Sequence, residues 1–364
     1  MPEIEENKNS GLLIVPLSPK AFIFGAESGV APKERLPKGD WHKYTPTGEY
    51  QSIPFKYDTM SCTTFSGLNS LEEQANFLKE TEMTAEQIEL CKSLGYIDEK
   101  GNFNFNDWFS ANMSGTNPNG NDFGSVWESF RKHGVIGQKK GYQIGDFKTI
   151  AEWLDRTKVT TAHKDEGLKF LDLFEIEYEF ILLGVSNPEI IAQHLKHAPI
   201  HIGTPVCSGW NKKGKPVQKC DLPIQHATLA HGSIPKKVTQ IFDHYDPLNK
   251  ELAWDYSIPY AVKGVLKLRT EKPKPVKPQF VFTKTLSRNV RNPEVMEVQK
   301  FLKYHGFYKL DYFTDFYGYW TELAVKEFQK FYAKDILHPI GLTLPTGKWA
   351  SMSIKKANIL QMQS

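Results

Sequence analysis

Apolar residues recur first at the three- and four-residue spacing of helices and later at the two-residue spacing of strands. After Ser61, the residues Phe65, Leu68, Leu71, Ala75 and Leu78 share one helical face, which puts Cys62 in the first turn of that helix. The stretch TAEQIELCKSLGY predicts a second helix, opened by Thr84 with Gln87 three residues on and closed by Gly95. FGSVWESFRKHGV predicts a third, stopped at Gly134. From Phe174 the texture changes. FEIEYEFILLG alternates as a strand, SNPEIIAQHLKHA is a helix begun by Pro188, and PIHIGTPV is a strand. IQHATLAHGS, VTQIFDHYDP and IPYAVKGVLKLR then predict three more strands between turn residues. Helices first and strands second is the order of an α+β domain in two lobes, a helical lobe plus an antiparallel sheet or barrel lobe.

The sharpest break is TEKPKPVKPQF, where alternating Lys and Pro favour extended polyproline II over a packed element. The expected organisation is an N-terminal extension over 1–40, the α+β domain over 41–269, a Lys/Pro linker over 270–283 and a small C-terminal module over 284–364. In that module Asn292 and Pro293 open a helix carrying Val295, Val298 and Leu302, which Gly306 stops. A second helix carries Leu323, Ala324, Phe328 and Phe331, and PTGKWASMSIKKANIL predicts a third.

Composition narrows the function classes. The 364 residues are 40% hydrophobic and 24% charged, ordinary for a globular chain, and the net charge of +3 excludes a dedicated nucleic-acid or membrane-surface binder. The charge is uneven, because from Lys284 onward twelve Lys and Arg face seven Asp and Glu. The start, MPEIEENKNSGLLIVPLSPKAF, carries acidic residues where a signal peptide has basic ones, so the expectation is synthesis in a cytoplasm without a signal peptide. No run approaches the length of a membrane span. Cys62, Cys91, Cys207 and Cys220 show no tight spacing, so reduced thiols are expected, with Cys207 and Cys220 the pair that would join in an oxidising space.

A helix N-terminus favours thiolate, so Cys62 is a candidate nucleophile. It needs a histidine as base and acid. His226 opens an apolar strand, and Asp243 follows one hairpin later, where a carboxylate can hold the imidazole in one tautomer. Alone, such a cysteine or histidine is most often a buried packing residue; together and in this order they favour a triad. His194, His197 and His201, with Cys207 close behind, have a spacing that could reach a metal, but no His-Glu-x-x-His pattern occurs and a packed helix face explains them. GTNPNGNDFG lacks the central glycine and terminal glutamate of a calcium loop. The expectation is no metal and no cofactor.

SCTTFSGLNSLE resembles the nucleophile helix of papain-like cysteine peptidases, and IQHATLAHG is similar to their histidine strand. IIAQHLKHAPIHIGTPV resembles the helix and strand before that histidine, so the likeness spans roughly residues 40 to 265. It implies a two-lobed fold and a Cys62, His226, Asp243 triad, with Asp243 where the family usually has Asn. The family's oxyanion glutamine would fall at Lys56, which leaves Gln51 as the nearest candidate. An oxyanion donor is worth about 3 kcal/mol of barrier.

In the C-terminal module the series VQKFL, GF, GYWTELAVKEFQKFY and TGKW resembles the peptidoglycan-binding-domain repeat over residues 290 to 358. That resemblance implies a peptidoglycan partner, with Tyr312, Tyr317, Tyr319 and Trp320 as candidate ligand-binding residues, since aromatic faces stack on sugars. The combined expectation is a cysteine peptidase acting on peptidoglycan or peptide substrate, lysin-like or virion-associated, acting at the cell wall after release. The alternatives are a protein-directed peptidase of a phage particle, with phage virion proteins as possible partners and the module as adaptor, and a catalytically weak or inactive papain-like structural or binding protein. Neither nucleic acid nor membrane is an expected partner.

Overall fold

The structure is a computed structural model that describes residues 3, 9, 11–16, 33–54, 56–182, 187–269, 280–308, 310 and 313–362. It divides into two compact units, Met1–Arg269 and Thr270–Ser364.

The first unit is α+β. A two-stranded ribbon, β1 (Ser52–Ile53) and β2 (Tyr57–Asp58), leads into α1 (Cys62–Thr81), and the helical lobe continues through α2 (Ala85–Ser93), α3 (Asp107–Ser114), α4 (Phe123–His133), α5 (Ile150–Trp153) and α6 (Thr161–Leu173). The sheet lobe follows, with β3 (Phe174–Leu182), α7 (Pro188–Leu195), β4 (Ile200–Thr204), β5 (His226–Ile234), β6 (Val238–Phe242), β7 (Asn249–Ala253) and β8 (Tyr260–Leu268). Six strands form one antiparallel sheet in the order β3, β8, β4, β5, β6, β7. β5 lies between β4 and β6, with a register shift between Ala230 and Gly232. Its first residue, His226, pairs with Thr204 of β4 at one end of the sheet.

The periodicity predicts one buried face on α1, yet every residue from Cys62 to Leu78 except Asn69 is buried. Packing alone does not explain this, because a buried polar side chain needs a partner. Three long polar residues clamp neighbouring backbone, while Glu73 meets His231 Nδ1 at 2.9 Å. Glu72 accepts from the Phe105 amide at 2.6 Å. Asn76 bonds the Tyr44 carbonyl at 3.1 Å and the Phe103 amide at 2.9 Å. Gln74 bonds Gly264 O at 3.1 Å and Leu266 N at 3.0 Å on β8. α1 thus joins the two lobes, and the expected capping pair of Thr84 and Gln87 starts α2 next to it.

The second unit holds α8 (Pro293–Tyr304), α9 (Tyr319–Phe331), α10 (Ala333–Ile336) and α11 (Ser351–Met362) around a core that includes Val298, Phe301, Phe328 and Trp349. Two glutamines fasten its turns. Gln299 donates to Thr321 Oγ1 at 2.9 Å and accepts from the Thr314 amide at 2.7 Å. Gln329 donates to Lys348 O at 2.7 Å and accepts from the amides of Thr346 and Gly347 at 2.9 and 3.0 Å. These contacts rotate α9 from its expected apolar face: Thr321, Val325 and Gln329 point inward, while Phe331 is 72% exposed. The third helix begins at Ser351 rather than Pro345, because 346–348 is the turn that Gln329 holds.

Contrary to the expectation of reduced thiols, Cys207 and Cys220 form a disulfide, with Cα atoms 5.8 Å apart. Cys62 and Cys91 are unbridged and buried.

Candidate active site

A sharp turn delivers Cys62 to the head of α1. Met60 takes a left-handed φ of 54°, and its amide donates to Asp58 Oδ1 at 2.8 Å. Below the turn, Trp127 Nε1 donates to His201 Nδ1 at 3.1 Å, so His201 Nε2 carries the proton toward Ser66 Oγ at 2.6 Å. Ser66 in turn donates to the Cys62 carbonyl at 2.6 Å. Burial pushes His201 well below the ordinary histidine range, which suits this neutral tautomer. His201 thereby has both ring nitrogens hydrogen-bonded within the core.

The three predicted triad residues converge. The Ala227 amide on β5 donates to Cys62 Sγ at 3.4 Å across 165 positions of sequence, which brings the sulfur to the strand that begins with His226. His226 Nε2 lies 2.7 Å from Asp243 Oδ1. All three side chains are inaccessible to solvent. Burial pushes the Cys62 thiol up, the Ala227 amide opposes this, and the carboxylates of Asp58 and Asp243 add to it. Burial also raises Asp243, but the Lys250 ammonium and His226 outweigh it and hold the carboxyl well below the usual range. His244 bonds Ala227 O at 3.2 Å and is pushed down to about 4 by burial.

Sequence reasoning missed several neighbours. Trp210 Nε1 and Lys250 Nζ each donate to Asp243 Oδ2 at 2.8 Å. Trp210 rides on the loop that the Cys207–Cys220 disulfide closes, so that bracketed loop was the available signal. Lys250 had none, being one lysine among many. Gln51 is buried, and its amide donates to Asp58 Oδ1 at 3.0 Å. Asp58 also accepts from Tyr245 OH, and burial raises its carboxyl. Gln51 thus places one amide N–H on a carboxylate four residues before Cys62, and Lys56 is exposed.

A segment near the chain start packs beside the turn that leads into α1. Leu13 N donates to Asn121 O and Asn121 N to Gly11 O, both at 2.8 Å, in a parallel bridge centred on Leu12 and Asn121. Gly11 has a φ of 113°, and a Cβ there would lie 2.1 Å from the Met60 carbonyl oxygen, two residues before Cys62. Leu12 is buried in the cluster that contains Cys62 and packs on Gly203 of β4.

In the second unit, a cavity of about 460 Å³ is lined by Arg291, Asp315, Phe316, Tyr319 and Trp320 among others. Tyr319 and Trp320 are about half exposed, with ring centroids 5.3 Å apart. Tyr317 does not join them. It is fully buried and donates to Gly347 O at 2.8 Å, because its ring completes the helical core. Tyr312 lies outside the described residues.

Residues 291–333 match the family described as "Putative peptidoglycan binding domain". The sequence finds no match among curated proteins. Among solved structures, the chain is similar to digestive procathepsin L 3 of the Tenebrio molitor larval midgut, at 11% identity over 65% of this chain and 72% of that one, with a TM-score of 0.42. It is also similar to the proform of the ragweed pollen allergen Amb a 11 cysteine protease, at 14% identity, 68% and 69% coverage and a TM-score of 0.39. The bromelain protease from Ananas comosus in complex with the E64 inhibitor gives 14% identity, 64% and 98% coverage and a TM-score of 0.38. Residues 291–333 are thus similar to a peptidoglycan-binding domain, and the first unit is α+β.

Proposed function

We propose that the first unit is a cysteine peptidase directed at peptidoglycan, with the second unit holding it on the wall. The observation that carries this reading is the meeting of Cys62 Sγ with the His226 strand while Asp243 fixes the far side of the imidazole. His226 Nε2 is committed to Asp243, so Nδ1 is the nitrogen that exchanges a proton with the thiol. Proton transfer from Cys62 to His226 gives thiolate and imidazolium. The sulfur attacks an amide carbonyl carbon, His226 returns the proton to the leaving amine, and water then hydrolyses the thioester. Amides at the head of α1 and the Gln51 amide are the candidate donors for a developing oxyanion there. The exposed Tyr319 and Trp320 faces suit sugar rings, and the polar cavity wall suits attached peptide.

The test is mass spectrometry of digested sacculi. Wild-type protein should generate new amine termini, and Cys62→Ala should generate none; termini that persist with Cys62→Ala would refute the nucleophile.

The complete burial of Cys62 and His226 favours a second reading, a papain-like body that binds walls without catalysis. Wall pelleting without any cleavage or reaction with an epoxide inhibitor would select it.

A further inference from the structure

Lys250 is out of place as an ordinary lysine. Its side chain is 1% exposed, and its three N–H donors meet three oxygens: Asp243 Oδ2 at 2.8 Å, Tyr245 O at 2.8 Å and Pro247 O at 2.5 Å. A neutral amine would turn a lone pair toward one of these acceptors, so the group is an ammonium. It lies 5.6 Å from the centre of the Trp210 ring, and Trp210 donates to the same carboxylate oxygen.

The resemblance implies a neutral Asn as third residue, whereas this chain has Asp243. A lone buried carboxylate would bind imidazolium more tightly than an amide does and would hold the proton on His226 when the leaving group needs it. An ammonium on the opposite carboxylate oxygen cancels most of that field. We propose that Lys250 is a positioning residue that acts through Asp243, so that the Asp243–Lys250 pair presents His226 with the nearly neutral acceptor that an asparagine would supply. This rests on the triad reading above.

The rival explanation is mechanical, since Lys250 also ties the β6–β7 turn through the carbonyls of Tyr245 and Pro247. Charge and mechanics separate in Lys250→Gln, which keeps a donor for Asp243 but loses the cation. The other titratable groups that act on the pair are Cys62, His226, His244, Tyr245 and Asp246, and none is altered in this series.

The experiment follows iodoacetamide alkylation of Cys62 in the full chain from pH 4 to 9, together with sacculus cleavage, for Lys250→Arg, Lys250→Gln and Lys250→Met. Removing a nearby positive charge raises every proton affinity around it. Both steps of the alkylation profile should therefore move up by about one pH unit in the Gln and Met variants, with cleavage slowed about tenfold, while Arg stays near wild type. Unmoved steps in Lys250→Gln would overturn the proposal, whatever happens to the rate, and this holds if Lys250→Met fails to fold. Alkylation needs no substrate, so a Lys250 effect on Cys62 remains readable if sacculi are not cleaved. Cleavage that survives Cys62→Ala overturns the assignment of Cys62 as the nucleophile instead.

Discussion

Replacing Leu12 by Ala should loosen the segment beside the head of α1 without touching the chemistry. The wild-type segment gains from burying Leu12, at roughly 1.5–3 kcal/mol, and from two backbone hydrogen bonds of about 1 kcal/mol each. Ordering the residues costs about 1–2 kcal/mol apiece, so docking is a small net of opposed terms. The difference between variants is firmer than that net. Leu12→Ala keeps the backbone bonds and the ordering cost and loses about 2 kcal/mol of packing. Every 1.4 kcal/mol is tenfold, so the open population rises about thirtyfold. Where opening is fast relative to alkylation, the rate of Cys62 labelling follows that population. Intact-mass measurement of iodoacetamide labelling at pH 7 reads it directly, and Cys91, buried on α2, serves as internal control. A change below about threefold in a folded variant, or an equal acceleration at Cys91, would refute a local cover over Cys62.

Other outcomes follow from single contacts. Asp58 raises the Cys62 thiol, so Asp58→Asn should move the acid step of Cys62 alkylation to lower pH, and a step that moves up or stays fixed counts against that coupling. Trp320→Ala should weaken pelleting with sacculi about tenfold, as loss of an exposed aromatic anchor does. Tyr317→Phe should leave pelleting unchanged and cost about 1 kcal/mol in denaturant unfolding, because only the bond to Gly347 O is lost. Replacing Cys207 and Cys220 by Ser should lower stability by about 3 kcal/mol for a short closed loop, and should slow cleavage if the loop aims Trp210 at Asp243.

The hydrophobic pattern carried the fold well where a local rule decides. The heads of α2 and α8 follow from Thr84 with Gln87 and from Asn292 with Pro293, and the strands around His226 follow from alternation. It failed where a buried polar side chain overrides amphipathicity. Gln74 and Asn76 look solvent-facing by period, yet their amides hold other backbones and bury α1 all round. Gln329 rotates α9 in the same way. The Gln of each motif stretch in the C-terminal module is thus a structural fastener, and its recurrence reports turn geometry rather than ligand chemistry.

The same distinction applies at the candidate active site. Cys62, His226 and Asp243 could be picked out because each sits beside a local signal: a helix head, an apolar strand and a hairpin. Lys250 and Leu12 have no such signal, because what they do depends on burial and on partners far away in sequence. An isolated lysine on β7 reads as a solvated edge residue, and Gly11 with Leu12 reads as a broken apolar stretch. Both meanings appear only when the sheet order sets β7 beside β6 and the Asn117–Asn121 turn meets the chain start. The residues that would perform catalysis are therefore legible from sequence, whereas those that would set its electrostatics and its access are products of the fold. A variant series at Lys250 and Leu12 consequently probes what the triad motif alone leaves open.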